Sequence, residues 1–235
     1  MEKEVKEIRK IYEDENIIVL DKPSGLVVNR SNTTTEQTLQ DILEEKYLFN
    51  IESIDDTEYK DRSGIVHRLD KDTSGVIAIA KNVDSFYFLQ KQFKERNVYK
   101  EYVALVRGRI DDESIEINAP LARNPNNPLK YAVVSTGKYA LTRINRIKNV
   151  SIEGNEYTLL KVTPKTGRTH QIRVHLSAVG HSVVCDQIYC ANNLLEVDFT
   201  VFNRLMLHAR ILGFSNPKTL KFQRFEAPLP VDFQL

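Results

Sequence analysis

Between Gly64 and Ala80 the chain reads Gly-Ile-Val-His-Arg-Leu-Asp-Lys-Asp-Thr-Ser-Gly-Val-Ile-Ala-Ile-Ala, and no other stretch limits the accessible folds as much. Ile65-Val66 lead into it and Val76 to Ala80 lead out. Both runs are short and rich in β-branched residues, the pattern of buried strands. Charges fill the interval: carboxylates at Asp70 and Asp72, cations at Arg68 and Lys71, and Arg62 a little upstream. Gly64 and Gly75 close the segment, as a tight loop between strands requires. Such a loop is either a solvated turn or a reactive group carried on a rigid frame.

With 235 residues the chain fits one catalytic domain, 1–235, and can bury a good core. Its 41% apolar and 28% charged residues suit a globular protein and argue against disorder. Thirty-three Lys and Arg against 32 Asp and Glu leave a net charge of +1, so a nucleic-acid surface would have to be a local basic patch. Cys185 and Cys190 match no zinc pattern because no second pair exists, and they read as reduced thiols. His170 and His175, five apart with no organised carboxylate, are poorly placed as ligands on one helix face, so no metal site is expected. The opening MEKEVKEIRK lacks the apolar segment of a signal peptide, and no run approaches the roughly 18 apolar residues of a membrane span. A cytoplasmic protein with no membrane partner is the expectation.

Read in order, residues 1–10 form a charged lead-in. Strands are expected around Ile11–Tyr12 and Ile17–Leu20, with an acidic turn between them. In Asp21-Lys22-Pro23-Ser24-Gly25-Leu26 the proline and glycine make a sharp turn that presents Lys22. Thr35 to Tyr47 reads as a helix with Leu39, Ile42 and Leu43 on one face, and residues 48–63 as an irregular polar segment. Asp84 to Asn97 is an amphipathic helix, Phe86, Leu89 and Phe93 inward and Lys91, Lys94 and Arg96 outward. Tyr99 to Gly108 is a strand with Lys100, Tyr102, Ala104 and Val106 on one face. Arg123 to Lys130 reads as an exposed basic loop. Ala140–Lys148 and Tyr157–Thr163 form a hairpin. From Pro164 to Gly180 a turn opens a helix, with Thr169 as cap, Ile172, Leu176 and Val179 on one face, and Gly180 as terminator. Lys165 and Arg168 at its start suit phosphate.

Several of these words occur together in one known family. His67-Arg68-Leu69-Asp70-Lys71-Asp72-Thr73-Ser74-Gly75 resembles the catalytic motif of the RluA-type pseudouridine synthases, which isomerise uridine in RNA. Asp21 to Leu26 resembles the motif preceding that loop. Lys100 to Gly108 is similar to the stretch bearing the family's active-site tyrosine, and Thr166 to Ser177 to its third motif. Val184 to Tyr189 matches G-D-x-x-Y with Cys185 in place of glycine. Leu205 to Arg210 and Phe214 to Pro217 match its closing motifs, with Asn216 where histidine is usual. The resemblance runs from about Ile11 to the C-terminus, and no separate N-terminal RNA-binding module is expected.

The resemblance implies an α+β fold: a mixed, mostly antiparallel bent sheet with flanking helices and a central RNA-binding cleft. Pseudouridine formation breaks the bond between ribose carbon 1′ and base nitrogen 1 and rejoins the base through carbon 5. There is no net oxidation or reduction, and the proton lost from carbon 5 is balanced by one gained at nitrogen 1, so no cofactor is required. Asp70 is the implied catalytic carboxylate, as nucleophile or as base. Arg173 is its implied counter-ion, Tyr102 stacks on the extruded base, and Arg68 fills the vacated stack. Lys22, Lys165 and Arg168 are implied RNA contacts. The implied partner is a structured stem-loop of large-subunit rRNA or tRNA, bound by a monomer. Two rivals remain. A glycosidase would need Asp72 as second carboxylate, too close along the chain to oppose Asp70 across a sugar. A non-catalytic RNA-binding module would not need Asp70, Tyr102 and Arg173 together.

Overall fold

The computed structural model describes residues 8–31, 34–47 and 54–235. Most of the charged lead-in and residues 48–53 of the polar segment lie outside the described residues. The chain divides into two compact units, Met1–Tyr99 with Arg210–Pro228, and Lys100–Ala209 with Leu229–Leu235.

The first unit opens with the expected hairpin, β1 (Arg9–Glu13) and β2 (Ile17–Lys22), paired antiparallel. Its turn is set by Asp14, whose Oδ1 accepts from the amides of Asn16 and Ile17 at 2.7 and 2.9 Å. Helix α1 spans Leu39–Lys46 and starts four residues later than Thr35. The reason is chemical: Thr38 and Asp41 close a reciprocal capping box, which fixes the first turn. Leu39, Ile42 and Leu43 are buried as their spacing requires. The segment expected to be irregular contains α2 (Thr57–Arg62), capped by Asp56. Tyr59 sinks from α2 to zero exposure and donates its hydroxyl to the Ala80 carbonyl at 3.2 Å.

Strand β3 (Ser74–Ala80) is buried at every residue and pairs antiparallel with β2 from Ile17↔Ala80 to Lys22↔Gly75. An unbroken apolar run is what a strand covered on both faces needs. Helix α3 (Val83–Glu95), capped by Asn82, buries Phe86 and Leu89.

In the second unit β4 (Tyr99–Arg107), β5 (Ser114–Asn118), β8 (Leu141–Ile152) and β9 (Asn155–Pro164) stand in the order β4-β9-β8-β5, each pair antiparallel. Between β5 and β8 the chain forms a separate hairpin, β6 (Leu121–Asn124) and β7 (Asn127–Val133). The basic loop expected at Arg123–Lys130 is therefore two short strands and their turn. Alternation along β4 sends Ala104 and Val106 to one core with Leu160, Val162, Ile172 and Leu176. Val103 and Leu105 go to another with Tyr157, Leu159, Val184 and Phe202.

Helices α4 (Gln171–Ala178) and α5 (Asn192–Val201) follow. Val179, expected on the inner face, is exposed because α4 has already ended. Cys185 holds the left-handed conformation that glycine favours, at φ +58°. It is kept there by its amide, which donates to the buried Asp198 of α5 at 3.2 Å, and by packing of its side chain. Burial pushes its thiol up to about 12.

Strand β10 (Leu207–Ser215) carries the chain back into the first unit, where β11 (Phe222–Glu226) pairs with it antiparallel. Asn216, at the usual histidine position, is fully buried. Its amide donates to Asp14 at 2.9 Å, and its oxygen accepts from the backbone of Lys218 and Thr219. The fold class is the expected α+β, mostly antiparallel with few helices. Among the described residues no helix is long and apolar enough to cross a membrane.

Gly64 is tightly packed against backbone. It sits at φ +70°, and a Cβ there would lie 2.1 Å from the Ala80 carbonyl oxygen. Gly64→Ala combines left-handed strain with overpacking against backbone, so it should cost at least about 2 kcal/mol. Urea denaturation checks this: a midpoint equal to wild type would contradict the packing described.

Candidate active site

The loop that carries Asp70 is fixed at both ends and along its backbone. Upstream, the His67 ring stacks on Phe93 with centroids 4.5 Å apart, and its Nε2 accepts from the Ala78 amide at 2.9 Å. That bond places the proton of a neutral ring on Nδ1. Leu69 and Thr73 are buried anchors, Arg68, Lys71 and Asp72 are exposed, and Asp70 is half-buried between them. The Thr73 amide closes a turn onto the Asp70 carbonyl at 3.2 Å.

The turn at Asp21–Leu26 grips this loop from the side. The Gly25 amide donates to the Lys71 carbonyl at 2.9 Å, with Gly25 at φ +79° where a side chain would be strained. The Ser24 hydroxyl donates to the Asp72 carbonyl at 2.7 Å. Lys22 was expected to face RNA, and here the structure corrects the sequence. Its side chain is fully buried, and its ammonium donates to the carbonyls of Pro23, Leu26 and Lys71, each at 2.9 Å. A proline-glycine turn presents a lysine, but this one presents it inward, as a tie.

The remaining candidates lie in the second unit. Tyr102, on β4 opposite Val162 of β9, is half-buried and packs on the core of Ala104 and Val106. Arg173 is on α4 and only 3% exposed. Its Nε and Nη2 donate to the two oxygens of Asp186, both at 2.7 Å, and its guanidinium lies 5.3 Å over the Tyr189 ring. Asp186 and Tyr189 had no role in the sequence reading; only their place in the G-D-x-x-Y word marked them.

Helix α4 opens without the Thr169 cap. Its first flanking residue is His170, left-handed at φ +54° and making no side-chain cap bond. Gln171 organises the turn instead. Its Oε1 accepts from the Thr166 hydroxyl and the Arg168 amide, and its Nε2 donates to Leu141 and Thr142. Beneath it His175 is fully buried, with Nε2 bound to the Ala119 carbonyl and Nδ1 to Thr142. Burial lowers its pKa, so it stays neutral. Lys165 is exposed, and Arg168 is half-buried with Nε donating to the Tyr139 carbonyl at 3.1 Å. Among the described residues no group of three His, Cys, Asp or Glu could hold a metal ion.

Residues 16–178 match the RNA pseudouridylate synthase family. An uncharacterized RNA pseudouridine synthase of Helicobacter pylori is 38% identical over 228 residues, which cover 96% of this chain and 68% of that protein. The ribosomal large subunit pseudouridine synthase D of Pseudomonas aeruginosa is 37% identical over 235 residues, 97% of this chain and 70% of that one. Among solved structures, human RNA pseudouridylate synthase domain containing 1 superposes with a TM-score of 0.77 at 27% identity, covering 98% of this chain and 86% of that chain. By these matches and by its motifs, the chain belongs to the RNA pseudouridylate synthase family of isomerases and to the RluA type within it.

Proposed function

We propose that the chain converts specific uridines to pseudouridine in large-subunit rRNA or tRNA, with Asp70 as the catalytic carboxylate. The observation that carries this reading is the bracing of the Asp70 loop. Three donors from the Lys22–Gly25 turn hold the Lys71 and Asp72 carbonyls, next to a carboxylate left half-exposed. Fixing a reactive group to within a fraction of an ångström is what positioning catalysis demands. A solvated turn needs no buried lysine behind it.

In this reading Asp70 meets the sugar as an ionised carboxylate, whether it attacks carbon 1′ or removes a ribose proton. Arg173 is its counter-ion in this reading, a planar fork that can hold a carboxylate in one geometry. Tyr102 stacks on the freed base, and its hydroxyl exchanges protons late in the reaction. Arg68, exposed two residues before Asp70, fills the gap left in the stack. The basic patch demanded by the near-neutral net charge is supported by the sequence around the β6–β7 hairpin. Residues 119–152 contain six Lys and Arg and no Asp or Glu. Lys165 and Arg168 extend that surface toward phosphate. Two relatives named for the large ribosomal subunit, from Pseudomonas aeruginosa and Nitrosomonas europaea, favour rRNA over tRNA. The protein acts as a monomer in the cytoplasm, where such RNA is modified.

Salt dependence separates the RNA-facing cations from the structural one. Lys165→Ala and Arg168→Ala should each lower the slope of log affinity against log salt by about 1. Lys22→Met should leave that slope alone and cost about 3 kcal/mol of stability, through unsatisfied buried carbonyls. A reduced slope with an unchanged melt for Lys22→Met would return that residue to the RNA surface.

Asp70→Asn tests the function itself. It keeps the size of the side chain and removes its charge and nucleophilic oxygen. Tritium release from carbon 5 of labelled uridine in bulk RNA should fall below detection. RNA affinity by filter binding should stay within about threefold, since phosphate contacts dominate it. A folded Asp70→Asn protein releasing tritium at the wild-type rate would end this reading.

A further inference from the structure

Arg173 is held more tightly than a simple counter-charge would need. Its Nε and Nη2 meet the Asp186 oxygens in a two-pronged pair, both at 2.7 Å. That geometry fixes the guanidinium plane and its rotation about the Nε–Cζ bond, and therefore the direction in which Nη1 points. Asp186 is fully buried and itself immobilised. Its Oδ1 also accepts from the amides of Ile188 and Tyr189 at 3.0 and 3.1 Å, and its carbonyl accepts from the Cys190 amide at 2.9 Å.

The turn bearing this carboxylate is tied down further. The Tyr189 ring lies under the guanidinium at 5.3 Å. Its hydroxyl accepts from the Tyr131 amide at 3.0 Å and is 2.8 Å from His170 Nδ1. Lys130 Nζ donates to the Ile188 carbonyl at 2.6 Å. The β6–β7 hairpin and the start of α4 thus both brace the residues that clamp Arg173. A buried ion pair adds little stability over apolar side chains of similar volume, because both charges lose their hydration. What a two-pronged pair supplies that apolar packing does not is direction.

We propose that Asp186 is a positioning residue for the isomerisation, setting the orientation in which Arg173 offers its remaining N–H groups to the reaction centre. The inference rests on the reading of Arg173 as an active-site residue. Asp186→Asn cannot accept from both Nε and Nη2, because one of its two heavy atoms is now a donor. The guanidinium is then free to turn, and a displacement of about 1 Å is enough for a loss on the order of 10²-fold in rate.

The test is single-turnover tritium release with enzyme saturating over RNA, normalised to folded protein. Asp186→Asn should react about 100-fold more slowly, with RNA affinity within about threefold of wild type. Asp186→Glu, which keeps the charge but displaces the carboxylate, should fall between the two. Arg173→Lys is measured beside them. If Arg173→Lys reacts at the wild-type rate, the reading of Arg173 fails. If it is slow while folded Asp186→Asn matches wild type, only the role of Asp186 falls. A defect in Asp186→Asn that disappears at saturating RNA also overturns the proposal, since it would lie in binding. If the Asp186 variants do not fold, ¹⁵N spectra of the wild-type protein decide. Two resolved Nη signals for Arg173, identified by their loss in Arg173→Lys, support the clamp, and one averaged signal refutes it.

Discussion

A lysine ammonium taken fully out of water gives up hydration worth several kcal/mol, and that cost must be offset locally. At Lys22 three N–H donors are received by three backbone carbonyls, Pro23 and Leu26 in its own turn and Lys71 in the Asp70 loop. A lysine has three rotatable donors on a flexible stem, so it can reach carbonyls from two segments that a planar arginine fork would not match. The consequence is mutual. The turn cannot keep its shape without the loop carbonyl, and the loop cannot drift from the turn without stranding a buried charge. Ser24 and Gly25 repeat the link on either side, and His67 fixes the loop where it enters. Asp70 thus inherits its position from strands β2 and β3, whose pairing ends at Lys22↔Gly75, right beside the loop.

The second unit solves a similar problem with side chains instead of backbone. Helix α4 begins at a residue with left-handed dihedrals and no side-chain cap. Gln171, Thr142, Thr166 and His175 form a chain of hydrogen bonds beneath it, closing on the Ala119 carbonyl. Satisfied buried networks of this kind rigidify a site, while a single missing partner would be expensive. Arg173 stands on the helix so fixed, and Asp186 turns it. In both units the residue expected to do chemistry is held by neighbours that do none.

Much of this was legible in the sequence. The β-branched runs at Ile17–Leu20 and Val76–Ala80 announced central strands, and the apolar spacing of α1 and α3 announced helices. The family was legible because its words are long and ordered. Other features were not readable, for physical reasons. Helix α2 is six residues with one buried side chain, Tyr59, too short for a period to show. Strand β7 buries none of its side chains, so no alternation betrays it, and Pro128 sits where only an exposed or edge strand tolerates it. Threonine is a common cap, but the helix starts one residue past the reach of Thr169, at left-handed His170, and the Gln171 side chain secures the turn before it by accepting from the Arg168 amide. Lys22 misled most. The Pro23–Gly25 turn was read correctly, yet the direction of a side chain depends on a partner loop 49 residues away. Asp186 carried no signal beyond its motif, since the importance of a carboxylate depends on which arginine it faces.

The central claim is that this chain makes pseudouridine at defined positions in RNA. The direct measurement is a transcriptome-wide pseudouridine map of the source cells with and without the gene, with rRNA and tRNA read at single-nucleotide resolution. The account predicts that one or a few uridines in stem-loops lose the modification completely and regain it when a wild-type copy is restored. Identical maps with and without the gene would contradict it.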